Sequence, residues 1–212
     1  MLKISCWNSD WATPSSKRGK FFSDKFDSDI ICLTEGYETL LPQDGYIISS
    51  NENYGYKIQK GRRKVILWSK NKWTEVNQIG SKEIPTGRFI SGVTNGIKIV
   101  GLCIPWRFAH VSTGRKDRKP WEDHLSFIQN LTLSHQKTII LGDFNQNIPK
   151  RNQPEIVFSS LMDLIDGLNL LTTNMGLDHI IISKDLEAKN IKRIATGTNS
   201  DHDGISCLIK VS

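Results

Sequence analysis

The sequence predicts a mixed α/β sandwich, with two central sheets and helices outside them. Three observations predict it. Short runs of β-branched and apolar residues, bounded by turn formers, recur from residue 2 to residue 211. Several of these runs are almost continuously apolar, as strands covered on both faces must be. Only three segments carry helical signals.

In chain order, the strand candidates are residues 2–7, 29–35, 46–50, 64–70, 90–105, 138–145, 179–183 and 205–211. The run 90–105 is split by Asn95-Gly96, a tight-hairpin signal. The helix candidates are a short segment at 17–26, residues 119–134 with Trp121, Leu125, Ile128 and Leu131 at helical spacing, and residues 154–166 with Ile156, Phe158, Leu161, Leu164 and Ile165. No repeat and no Ser/Gly/Pro-rich linker divides the chain, so one domain over residues 1–212 is expected.

Composition fits that reading. Hydrophobic residues make up 38% and charged residues 24% of 212 residues, which excludes wholesale disorder. A chain of this length buries roughly 70% of its unfolded surface and needs no disulfide or structural zinc. Cys6, Cys32, Cys103 and Cys207 each sit in an apolar run with no CxxC or zinc-type spacing, so they are expected as reduced core residues, with a catalytic thiol as the weaker reading. The start, MLKISCWNSD, lacks a signal-peptide apolar core, and no apolar run approaches the ~20 residues of a membrane span. The expectation is a cytoplasmic protein with no membrane contact and no obligate protein partner.

The charge is +6, from 28 Lys and Arg against 22 Asp and Glu. Basic runs lie at 60–64, 115–119 and 150–151, which admits a polyanionic partner without requiring one. The acids instead recur at the ends of predicted strands. The first run ends at Asn8-Ser9-Asp10, the second at Glu35 and a third at Asp143-Phe144-Asn145; Asp178-His179 opens another, and Asp201-His202 precedes the last. Convergence of these ends would build an oxygen-rich cluster suited to Mg²⁺ or Mn²⁺. Such an ion polarises a phosphoryl oxygen, and a His oriented by a carboxylate such as Asp178 could stabilise or protonate a phosphate oxygen.

Asn8-x-Asp10, Leu33-x-Glu35, Gly142-Asp143-Phe144-Asn145, Leu177-Asp178 and Ser200-Asp201-His202 resemble, in order and strand context, the signature of the endonuclease/exonuclease/phosphatase superfamily. The style is that of the exonuclease III and apurinic-endonuclease branch. The resemblance implies a four-layered, DNase I-like α/β sandwich and metal-dependent phosphoester hydrolysis. It implies Glu35 as main metal ligand, helped by Asp10 and Asn8, with Asp201 as a direct or outer ligand. Asp143 would orient or deprotonate the attacking water, Asn145 would hold that water or the scissile phosphate, Asp178 would orient His202, and His202 would bind the phosphate.

The chain departs from that branch at Cys103-Ile104-Pro105, where a phosphate-contacting tyrosine is expected; Arg107 or His110 could substitute, beside Trp106. Arg62, Arg63 and Lys64, with 115–119, could flank the cleft, and Trp11 or Trp106 could stack on a base. His124 and His135 are expected at the surface, and His179 on the strand face opposite Asp178. The leading reading is a Mg²⁺-dependent phosphodiesterase on nucleic acid, DNA before RNA. The alternatives are a phosphoesterase for a small phosphorylated molecule or lipid headgroup, and a catalytically inactive nucleic-acid-binding module.

Overall fold

The computed structural model describes residues 1–52, 59–78, 86–106, 121–171 and 176–210. Two six-stranded sheets lie face to face. The first holds β1 (Leu2–Asn8), β2 (Ile30–Tyr37), β3 (Tyr46–Ser49), β4 (Arg62–Ser69), β11 (Glu187–Ile194) and β12 (Gly204–Lys210), in the order β11-β12-β1-β2-β4-β3. The second holds β5 (Thr74–Asn77), β6 (Phe89–Thr94), β7 (Ile97–Cys103), β8 (Thr138–Asp143), β9 (Asn169–Leu171) and β10 (Asp178–Ile182), in the order β5-β6-β7-β8-β10-β9. Each sheet is mixed: β1 and β2 run parallel, as do β7 and β8, and the other pairs are antiparallel.

Period-two alternation separates three apolar layers. Ile4, Cys6, Ile30, Cys32, Val65 and Leu67 meet Ile99, Cys103, Ile139, Leu141 and Ile180 between the sheets. The opposite faces of the same strands take the helices. α1 (Lys17–Ser23) seats Phe22 against Trp7, Ile31, Leu33 and Ile66 of the first sheet. α2 (Glu122–Gln129) and α3 (Glu155–Leu164) pack Phe127, Ile128 and Leu161 on Leu102, Ile140 and Ile181 of the second. Helix, sheet, sheet and helix pair give the four layers the sequence motifs imply. Each large side chain buried there contributes about 1.5–3 kcal/mol.

Local chemistry sets the boundaries. Ser16 caps α1 by accepting from Gly19 N–H at 3.0 Å. Asn95 and Gly96, at φ 54° and 71°, close the β6–β7 hairpin between Thr94 and Ile97. Three strands escaped the sequence reading: β5, β9 and β11. All three are sheet edges, and β5 and β11 are largely exposed, so neither carries the apolar alternation that marks a covered strand.

The helices correct the predicted faces. α2 turns His124, Phe127 and Ile128 inward rather than Trp121 and Leu125. Thus His124 is a core residue and not a surface one, its Nδ1 lying 2.6 Å from the Pro105 carbonyl and its Nε2 2.8 Å from the Gln146 amide. α3 buries Val157 and Leu161 and leaves Ile156 exposed. All four cysteines are buried and free, as expected.

Candidate active site

The same alternation that builds the inner core delivers polar groups to one end of it. Ile4 and Cys6 lead along one face of β1 to Asn8; Ile139 and Leu141 lead along β8 to Asp143; Ile182 and Ile180 lead back along β10 to Asp178. Asp143 is the register partner of Asp178 on one side and of Cys103 on the other. Gly142 makes this approach possible: at φ 144°, a Cβ there would lie 1.9 Å from the Leu102 carbonyl oxygen.

Four of the nine non-glycine residues with left-handed backbone among the described residues lie here. Asp10, Trp11, Glu35 and Asn145 adopt φ of 43°, 58°, 51° and 52°. Non-glycine residues take that region at a cost of order 1–3 kcal/mol each, which the surrounding structure must offset.

Asp143 is held from several directions. Its Oδ1 accepts the Asn145 backbone N–H at 2.8 Å, and its Oδ2 accepts the side-chain amides of Asn145 at 2.8 Å and Asn8 at 3.3 Å. Asn145 also donates to the Ile104 carbonyl at 2.8 Å, so its amide orientation is fixed. His202 Nδ1 lies 2.7 Å from Asp178 Oδ2, and Ser200 ties that loop to β1 by donating to the Asn8 carbonyl at 2.9 Å. Burial pushes the Asp143 carboxyl up to about 7, against the pull of the nearby His202 cation and with the push of Asp178 and Glu35. Burial acts against charge on His202, but the carboxylates of Asp178 and Asp143 outweigh it and raise the imidazole to about 10.

A cleft of about 410 Å³ opens over Asn8, Glu35, Asp143, Asn145 and His202. Two cations line it as well. Lys64, expected on the flank of the cleft, is a buried β4 residue ion-paired with Glu35 Oε1. Arg88, not singled out at all, is 4% exposed and donates from Nη1 to the Cys103 carbonyl at 3.1 Å. Strand pairing could have flagged Lys64 opposite Glu35; Arg88 had no sequence signal beyond its charge.

A profile of the Endonuclease/Exonuclease/phosphatase family matches residues 19–202, most of the chain and all of these motifs except the first. The chain belongs to this family. Membership places it among hydrolases of phosphoester bonds, whose enzymes generally use divalent metals. A search of curated protein sequences returns no significant match. Among solved structures, an AP endonuclease from Archaeoglobus fulgidus aligns with a TM-score of 0.72 at 15% identity, each chain covered over 100% of its length. The Neisseria 3′ phosphatase NExo bound to a product DNA hairpin aligns with a TM-score of 0.66 at 16% identity, again over 100% of both chains. The endonuclease domain of TRAS1, a telomere-specific non-LTR retrotransposon, aligns with a TM-score of 0.63 at 14% identity over 97% of this chain and 96% of its own. At these identities the likeness is one of fold.

Not every predicted site residue joins the family cluster. Asp10 turns aside: its Oδ2 accepts from Arg18 Nη2 at 2.6 Å, while its backbone N–H donates to Asn8 Oδ1 at 2.8 Å. Asp201 stands at the rim with its side chain 78% exposed, Oδ1 3.8 Å from His202 Nε2. Arg63 points away to Glu52, at 2.7 Å, and Glu38, because strand alternation sets it opposite in direction to Arg62 and Lys64. Trp11 does not offer a bare ring: Arg62 stacks on it at 4.7 Å and Lys64 at 5.1 Å. Trp106 is exposed and lines the cleft. His179 faces away from Asp178, its Nε2 2.8 Å from the Gln146 carbonyl, as alternation requires. Arg107, His110 and the basic run 115–119 lie outside the described residues.

The donor chemistry fits a divalent cation. Glu35, Asp143 and Cys103 each bring one ligand atom within 4.8 Å of the others; Asn8 donates its amide N–H to Asp143 and keeps Oδ1, which accepts from the Asp10 N–H, as its ligand atom.

Proposed function

We propose that this chain is a Mg²⁺-dependent phosphodiesterase that hydrolyses nucleic acid, DNA in preference to RNA, by in-line attack of water, with Mn²⁺ as a substitute ion. One observation carries the reading: a buried, amide-held Asp143 and a His202 backed by the buried Asp178 face the same cleft as Glu35. The nucleic-acid assignment is supported by a net charge of +6 and by cations along the cleft, and the choice of DNA by the likeness in fold to an AP endonuclease and to a 3′ phosphatase bound to a DNA hairpin.

Glu35 and Asn8 would hold the ion, with Asp143 at its border. Asp10 and Asp201 would act through outer contacts, given their positions. The ion, when bound, supplies Lewis-acid polarisation of the phosphoryl oxygen and offsets developing negative charge. Asp143, raised to about 7, accepts a proton from the attacking water near its operating pH. Asn145, its amide clamped between Asp143 and Ile104, positions that water or a non-bridging oxygen. His202, cationic and aligned by Asp178, binds the phosphoryl group and stabilises charge in the transition state. Lys64, Arg88 and Arg62 attract the phosphodiester backbone, and Trp106 offers a face for a base.

The test is one substrate panel: plasmid, single-stranded DNA, RNA, abasic duplex and a generic phosphodiester, each with Mg²⁺, Mn²⁺ or EDTA. DNA cleavage that needs a divalent ion is the expected outcome. Turnover of the small phosphodiester alone would overturn the nucleic-acid assignment.

A further inference from the structure

Where the resemblance calls for a tyrosine, this chain sets a thiol beneath two carboxylates. Glu35, Cys103 and Asp143 come from β2, β7 and β8, and their ligand atoms lie within 4.8 Å of one another. The β7–β8 register pairs Cys103 with Asp143 and holds Sγ 3.8 Å from Oδ2. A tetrahedral ion bonded at ~2.3 Å to sulfur and ~2.0 Å to a carboxylate oxygen keeps the two about 3.5 Å apart. The apo spacing is within a few tenths of an ångström of that. Burial pushes the free Cys103 thiol up, and Lys64 and Arg88, whose Nη1 lies 3.9 Å from the sulfur, pull against it, so the ion itself must displace the proton. Positions 35, 103 and 143 are too far apart in sequence to form any zinc-type pattern; only the sandwich assembles them.

We infer that Glu35, Cys103 and Asp143 form a binding site for a thiophilic divalent cation, Zn²⁺ or Cd²⁺, with its fourth position open to the cleft. Hard ions gain little from sulfur, whereas borderline and soft ions gain most from it, so the thiol changes which ion the centre holds. On binding, the sulfur–hydrogen bond is replaced by a sulfur–metal bond and the proton leaves to solvent. One consequence rests on the proposed function: such an ion engages the oxygen of Asp143 that would take the proton from water, so it inhibits the Mg²⁺ reaction.

The experiment loads the metal-free full chain with one equivalent of Zn²⁺ or Cd²⁺. X-ray absorption of the Zn²⁺ form is expected to show one sulfur at about 2.3 Å beside oxygen or nitrogen neighbours. The Cd²⁺ form is expected to show a thiolate-to-metal charge-transfer band that Cys103→Ser abolishes and Cys207→Ser keeps, with Cd²⁺ affinity falling about tenfold or more in Cys103→Ser, the scale on which even outer-ligand changes act. A shell of oxygen and nitrogen alone, or a band that survives Cys103→Ser, would overturn the site. Should Cys103→Ser fail to fold, the wild-type absorption spectrum decides by itself. A sulfur-containing shell with no hydrolysis of the DNA panel would sink the proposed function and leave this site standing; hydrolysis with an oxygen-only shell would do the reverse.

Discussion

The two sheets meet the cleft in different electrical states. At the end of the first sheet every site carboxylate has a basic partner: Glu35 has Lys64, Asp10 has Arg18, and Arg62 and Lys64 both lie on Trp11. At the end of the second sheet the carboxylates have amides, a thiol and an imidazole for neighbours, and they are almost wholly buried. Burial outweighs the pull of His202 on Asp143, which rises to about 7, and the carboxylates of Asp178 and Asp143 raise His202 to about 10. The first sheet supplies a neutralised rim that can receive a phosphate. The second supplies the buried carboxylates Asp143 and Asp178, and these set the charge of His202, which reaches across from the loop ahead of β12.

The largest effect should come from breaking the second side at its centre. Asp143→Asn keeps the volume but cannot accept a proton, and its NH2 replaces one of the two oxygens that accept N–H groups from Asn145 and Asn8. The expected fall in kcat is ~10²–10⁴-fold, the usual worth of a positioned general base. Circular dichroism and thermal melting should show a folded protein. Activity within a fewfold of wild type would remove Asp143 from the chemistry.

A smaller effect should follow from cutting the field between Asp178 and His202. Asp178→Asn removes the carboxylate that bonds the imidazole and does most to hold its proton. Asp143 and Asp201 still act on the ring, so the His202 pKa should fall from about 10 towards its ordinary ~6.5, measured by NMR titration of the ring protons. With the ring less charged and no longer aligned, kcat should fall ~10²–10³-fold, as when one charge-stabilising donor is lost. A His202 pKa unmoved in Asp178→Asn would show that the pair does not set its charge.

This contrast explains what could be read in advance. The second side was legible because inner-face alternation in β8 and β10 runs straight into Asp143 and Asp178, and because Gly142-Asp143-Phe144-Asn145 and Ser200-Asp201-His202 are local motifs. On the first side the strand-end acceptors Asn8, Asp10 and Glu35 were legible too, but their basic partners were not. Arg62, Arg63 and Lys64 look alike as a basic run, yet β4 alternation buries Lys64 at Glu35 and sends Arg63 to Glu52. Arg18 and Arg88 reach the site through side-chain contacts that cross a turn, and Cys103 meets Glu35 only across the two sheets; periodicity registers none of these. The edge strands β5, β9 and β11 were missed because they bury too little to impose a pattern.

The finest test acts on the rim. Arg18 sits on α1, and besides its pair with Asp10 it donates from Nε to the Asn199 carbonyl at 2.8 Å, so one guanidinium joins the first motif to the last. Both members of the ion pair are partly exposed, with side chains 37% and 47% accessible. Solvent screening therefore limits the pair to about 0.2–1 kcal/mol of stability. Arg18→Gln should lower the melting temperature slightly and retain a donor for Asn199. Its more telling effect is electrostatic: a positive charge leaves the neighbourhood of the metal-facing loop and Asp10 loses its partner. Mn²⁺ affinity, read by electron paramagnetic resonance, should then rise a few-fold, in keeping with the removal of one like charge from a cation site. If affinity falls instead, Arg18 serves the site by holding the two loops together, and the rim of the first sheet is a scaffold before it is a counter-charge.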